Sequence, residues 1–227
     1  MRRLGWLSLY AVAMGWLEAV VVVYLRELYY PDGFGFPIVI IPDRLAMTEL
    51  LRELTTLLMI LAVAMLAGKD RTDRFFVFAL VFGLWDIVYY LGLWLLLDWP
   101  ESLFTWDVLF LIPVPWLAPV IYPLIIAVLL IVGFFVHDAR RVQGRPLRLT
   151  VAEWTVASVG AIVVVVAFCW NWRVVAAQTA PEGFPVWIFL AGTLLGLAPF
   201  GRATLRGIRG QLPNSEEDQP RLKYNRN

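Results

Sequence analysis

The chain has 227 residues, 60% of them hydrophobic, with a mean hydropathy of +0.72. A soluble domain is about 45–50% apolar, and here the excess lies in a few long, nearly uncharged runs that leave no room for a separate soluble domain. The net charge of +1 says little, although its distribution says much, and the single cysteine, Cys169, excludes an internal disulfide.

A bilayer core about 30 Å thick needs about 20 apolar residues as helix. The sequence predicts an all-α polytopic membrane protein. Its six transmembrane helices fall at about residues 4–29, 44–68, 73–97, 116–137, 151–172 and 185–203, in one domain of residues 1–210. In the first span Ala11-Val12-Ala13 imitates a signal cleavage site. The apolar run continues past it through Val23, which reads as an uncleaved anchor. Glu18, Val22, Arg26 and Tyr29 share one face of this helix. The connection 31–43 is rich in proline and glycine yet apolar, and is expected to fold against the bundle.

Asp43 is placed to cap the second span, whose residues Glu49, Arg52, Glu53 and Thr56 form one stripe. Thr72 or Asp73 is placed to cap the third, which presents Asp86, Tyr89 and Tyr90. After it, Asp98 and Glu101 signal a new start, and an apolar run carries Thr105 and Asp107 to Ile112. At about 14 residues it is too short to cross, so a short interfacial or re-entrant helix is expected at about 99–112 on the outer side. The fourth span ends at His137, expected at the membrane edge. Thr150 and Glu153 form a capping box before the fifth, where Cys169 reads as a packing residue. Pro185 suits the first turn of the sixth, and Gly192 with Gly196 permits close helix packing inside the chain. Trp99, Trp106, Trp116, Trp172 and Trp187 cluster near span ends, where indoles favour the headgroup layer. Residues 211–227 are polar and read as a disordered cytoplasmic tail.

Cytoplasmic loops collect Lys and Arg. With the N-terminus inside, the outer segments hold only Arg26, Arg44 and Arg173, and Arg52 lies within a span. Every other Lys and Arg falls inside, which puts both termini in the cytoplasm.

Charged residues at a helix centre cost ~2.5–3.5 kcal/mol each on insertion scales, so they mark function or a buried pair. At ~1.5 Å per residue, Glu18, Glu49, Glu53 and Asp86 lie in one layer of the outer half. With Arg52, Tyr89 and Tyr90 they would line a pocket, and Asp107 could cap it. Acids of this kind, all oxygen donors, would suit a hard divalent cation held by Glu18, Glu49, Glu53 and Asp86. The same residues admit a structural reading, in which Arg52 pairs with Glu18 or Asp86 and the network only fixes helix register. Spans four to six carry no matching acids, which argues against a symmetric inverted-repeat carrier. With one histidine and one cysteine, no haem or zinc site is expected from this chain alone, and there is no di-iron Glu-x-x-His pair. Phosphate-binding loops and nucleophile elbows are also absent. The positive loops are accounted for by topology and anionic lipids, so nucleic-acid binding is not expected.

The stretch WDIVYYLGLWLLLDWPESLFTWDVLFLIPVPW, residues 85–116, resembles a motif of uncharacterised bacterial polytopic inner-membrane proteins. A looser likeness surrounds Glu18 and residues 49–56. The resemblance implies a bacterial inner-membrane setting and no activity. Its polar positions, Asp86, Tyr89, Tyr90 and Asp107, fall in the layer already derived.

Three functions remain open on the sequence. The first is binding of a cation or small polar solute from the outer side, for transport or sensing. The second is a non-catalytic subunit of a larger membrane complex, a redox or pigment assembly, in which aromatic side chains meet lipid, pigment, quinone or protein partners. The third is an enzyme acting on a lipid or isoprenoid through a buried protonated acid.

Overall fold

A computed structural model of the chain describes residues 2–209, and the expected disordered tail lies outside them. Six helices are long and apolar enough to cross a membrane, and the protein is an all-α polytopic membrane protein. In chain order the elements are α1 (Arg2–Tyr29), α2 (Asp43–Ala67), α3 (Arg71–Leu97), β1 (Trp106–Val108), β2 (Leu117–Pro119), α4 (Ile121–Val142), α5 (Val151–Cys169), the short α6 (Arg173–Ala177) and α7 (Val186–Arg209). The end of the bundle that carries Arg3 and Asp73 is here the basic end; the other, with β1 and β2, is the hairpin end.

Helix α3 is the hub. It packs on α1, α2 and α4, while α5 packs on α7. Small residues permit these approaches, because lipid supplies no hydrophobic force to press helices together and close backbone contact must do so instead. A Cβ on Gly15 would lie 2.6 Å from the Trp85 carbonyl oxygen, and one on Gly92 would lie 2.6 Å from Ala19 Cβ. These contacts set α1 against α3, and Gly83 against the Ala127 carbonyl does the same for α3 and α4. The Gly192–Gly196 pair meets Gly160 of α5, so this motif works within the chain, as expected. Outward faces carry exposed apolar side chains such as Trp6, Leu17, Leu58, Leu66 and Leu194, as a lipid surface requires.

The capping box is present: Glu153 N–H donates to Thr150 Oγ1 at 3.3 Å, and Thr150 N–H donates to Glu153 Oε2 at 2.8 Å. Other caps differ from expectation. Helix α2 begins at Asp43 with Pro42 in the cap position and no side-chain cap. Helix α3 is capped by Asp70, which accepts from Asp73 N–H at 3.0 Å, two residues before Thr72. Asp73 is therefore released for another task. It is fully buried and accepts from Arg3 and Arg141, each at 2.9 Å, and from Lys69 N–H at 2.9 Å. His137 lies at the basic end but is turned inward. It is buried, stacked on Phe76 with centroids 4.5 Å apart, and its Nε2 lies 3.5 Å from Asp73. One turn separates His137 from Arg141, so both point from α4 at the same carboxylate.

The largest departure is the segment after α3. No helix forms at 99–112, and α4 starts at Ile121 rather than at 116. Instead β1 and β2 pair antiparallel, with Trp106 opposite Pro119, Asp107 opposite Ala118 and Val108 opposite Leu117. Leu109 N–H donates to the Trp116 carbonyl at 2.9 Å, and Trp116 N–H returns a bond to Phe110 at 2.7 Å. Short apolar runs fit strand and helix equally by period. The hairpin satisfies the backbone groups of this segment among its own residues. The connection 31–43 does fold onto the bundle: Phe34 packs edge-on to Trp99 at 5.6 Å, and Tyr30 OH accepts from Val39 N–H at 2.8 Å.

Asp73 joins α1, α3 and α4 by charge. Asp73→Asn leaves Arg3 and Arg141 without their buried counter-charge, and breaking such a pair costs about 3–5 kcal/mol. The expected result is a clear fall in the unfolding temperature of the detergent-solubilised protein; an unchanged temperature contradicts the assignment.

Candidate functional site

A cavity of about 800 Å³ runs inside the bundle. All eight residues singled out in the sequence, Glu18, Glu49, Arg52, Glu53, Asp86, Tyr89, Tyr90 and Asp107, line it. So does Arg26, which the sequence places on the face of Glu18 and among the outer charges.

The stripe on α2 meets α1 through one guanidinium. Arg52 Nε donates to Glu49 Oε2 at 2.7 Å, and the same guanidinium pairs with Glu18 of α1. Thr56 Oγ1 adds a bond to Glu18 Oε2 at 3.2 Å. The spacing of Glu49, Arg52, Glu53 and Thr56 puts all four on one helical face, and that face is turned inward. Glu53, one turn below Glu49, accepts from Leu111 N–H at 2.8 Å and so ties α2 to the hairpin.

Arg26 organises the hairpin end. It lies two turns beyond Glu18 on α1 and is buried. It donates to Asp107 Oδ1 at 3.0 Å, while Tyr90 OH donates to Asp107 Oδ2 at 3.2 Å. Its guanidinium carbon lies 3.6 Å from the ring centroid of Trp99 and 4.2 Å from that of Phe34. Trp99 thus covers a buried cation and is itself buried. The face shared by Glu18, Val22 and Arg26 was the signal in the sequence; what the sequence did not supply was that Asp107 sits on a strand opposite it.

Asp86 differs from the other acids. It is buried in α3, and its Oδ2 has no hydrogen-bond partner among the described residues. Tyr89 lines the cavity beside it, 5.0 Å between ring centroids from Tyr90. Further polar atoms in the cavity wall are buried and have no partner among the described residues: Trp85 Nε1, Trp116 Nε1 and Thr193 Oγ1. None of these three belonged to the expected set. An indole or a hydroxyl inside an apolar span carries no charge pattern by which a sequence would mark it.

Among the described residues no group of three or more His, Cys, Asp or Glu side chains is arranged to hold a metal ion. Glu18 and Glu49 close around Arg52, Glu53 faces a backbone N–H, and Asp86 stands by itself. Arg52 lies between two of the four carboxylates, Glu18 and Glu49. The four acids are therefore not assembled as one ligand set. What the site offers is one buried carboxylate, Asp86, without a partner among the described residues, in a cavity whose wall also carries two unpartnered indole N–H groups and long apolar stretches. No family model, curated protein or solved structure matches the chain.

Two variants check this geometry. A lysine cannot reproduce the planar guanidinium between Phe34, Trp99 and Asp107. Arg26→Lys is therefore expected to destabilise the protein almost as much as Arg26→Ala; full rescue by lysine in thermal unfolding contradicts the stacked arrangement. Glu53→Ala should raise hydrogen exchange at the Leu111 amide and its hairpin neighbours at least tenfold, and unchanged exchange there means the bond is not holding the hairpin.

Proposed function

We propose that this is a bacterial inner-membrane protein that binds, from the non-cytoplasmic side, a small solute with a positively charged or hydrogen-bond-donating group, for uptake or sensing. The charge distribution supports that orientation: Arg3, Arg71, Arg74, Arg140, Arg141, Arg145 and Arg148 all belong to the basic end or its loops, the pattern of a cytoplasmic face.

The observation that carries the reading is Asp86. A carboxylate inside a membrane helix is costly unless something answers it. Glu18, Glu49 and Asp107 are answered by Arg52 and Arg26, and Glu53 by Leu111 N–H. These contacts serve the architecture. Asp86 serves none of it, yet it is buried on the cavity wall. Groups kept at a cost to stability are characteristic of binding sites.

A purely architectural role and a binding role give opposite results on removal. Asp86→Asn should leave the unfolding temperature unchanged or raise it, because the lost group has no partner. It should weaken binding of primary and quaternary ammonium compounds, read by quenching of tryptophan emission from Trp85 and Trp116. Loss of a charge-assisted hydrogen bond is worth about 1.5–3 kcal/mol, or about tenfold to a hundredfold in affinity. A destabilised variant with unaltered affinity contradicts the proposal.

A further inference from the structure

Resting on that reading of Asp86, we infer that the ligand is a single-chain amphiphile: its cationic or hydrogen-bond-donating head sits at Asp86, and its apolar tail runs along α3 towards the basic end. The cavity is chemically divided. Its charged residues lie at the level of Asp86 or beyond it towards the hairpin. Below Asp86 the α3 wall continues through Phe82 and Ala79 to Phe75. Those eleven residues span ~16 Å of helix, about half the thickness of a bilayer core.

The facing wall belongs to α5 and α7. These two helices pack on each other through Gly160, Gly192 and Gly196, and otherwise approach the bundle at two levels. At the hairpin end Trp116 stacks on Phe168 at 6.0 Å, and Tyr122 on Phe184 at 4.0 Å. At the basic end Phe75 meets Trp154 at 5.0 Å and Phe200 at 5.8 Å. Aromatic contacts thus tie the pair to the hairpin and α4 at one end and to α3 at the other, and small residues such as Ala157 and Ala161 line the cavity between. A bare ion or a small hydrophilic solute would leave most of this apolar length untouched. Ligand sites are mostly apolar, with a few polar groups that fix orientation, and this chamber has that composition along a line. From water, each methylene buried is worth about fourfold in affinity, so a tail adds what one head contact lacks.

Two probes test this on the full-length protein in lipid nanodiscs. Ethylammonium has the head alone, and dodecylammonium with a diazirine at its terminal carbon reports where a tail ends. The expected label lies next to Phe75, Trp154 and Phe200. It falls at least tenfold in Asp86→Asn and in Ala161→Trp, which fills the chamber; Ala157→Phe replaces the latter if it does not fold. Ethylammonium affinity should fall in Asp86→Asn and hold in Ala161→Trp. If ethylammonium binds through Asp86 while the label spreads over lipid-facing residues whatever the variant, the amphiphile inference fails and the underlying reading stands. If Asp86→Asn changes neither probe, or wild type binds neither, the reading of Asp86 itself is overturned.

Discussion

Two guanidinium groups inside a low-dielectric bundle determine how its first half is built. A buried arginine must meet carboxylates or aromatic faces, and each choice joins elements far apart in sequence. Arg52 gathers Glu18 and Glu49 and so fixes α1 against α2. Arg26 takes Asp107 and lies between Phe34 and Trp99, which fixes α1 to the hairpin and to the connection before α2. Glu53 completes the circuit from α2 to the hairpin. At the opposite end Asp73 reverses the signs, one carboxylate holding Arg3 and Arg141 from α1 and α4. Breaking one member leaves another charge stranded, so these contacts specify one register strongly, whatever their net worth to stability.

Helices α5 and α7 are attached in another way. Glycines let them pack on each other, and aromatic rings hold them to the rest at two levels. The molecule therefore has a wall pinned by ion pairs and a wall held by apolar contacts, with the cavity between them. Dispersion contacts of the second kind can be exchanged for similar contacts with a ligand at little cost, whereas the ion pairs cannot. This asymmetry gives the proposed tail chamber a physical reason to lie where it does, opposite the fixed acids.

Much of this was legible in the sequence. Six apolar runs set the spans, Thr150 and Glu153 set the start of α5, and helical spacing put Glu49, Arg52, Glu53 and Thr56 on one inward face. The segment after α3 was not legible, because a short apolar run between prolines has no period that separates strand from helix. That one ambiguity hid the partner of Arg26, since Asp107 reaches it only from a strand. The inward roles of Asp73 and His137 were hidden for a related reason: both sit near helix ends, and the cap at Asp70 frees Asp73 to turn inward. Charge pattern reveals that acids share a layer; it does not reveal which of them find arginines, and so it could not single out Asp86.

The proposed binding rests on Asp86 being the buried cavity carboxylate without a partner among the described residues. A hydrophobic carbodiimide reacts with membrane carboxyl groups through whatever fraction carries a proton, an ion pair to arginine suppresses that fraction, and mass spectrometry locates the adducts. The account predicts modification at Asp86, with Glu18, Glu49 and Asp107 protected by their arginines. Adducts at Glu18 or Asp107 with Asp86 untouched would contradict it.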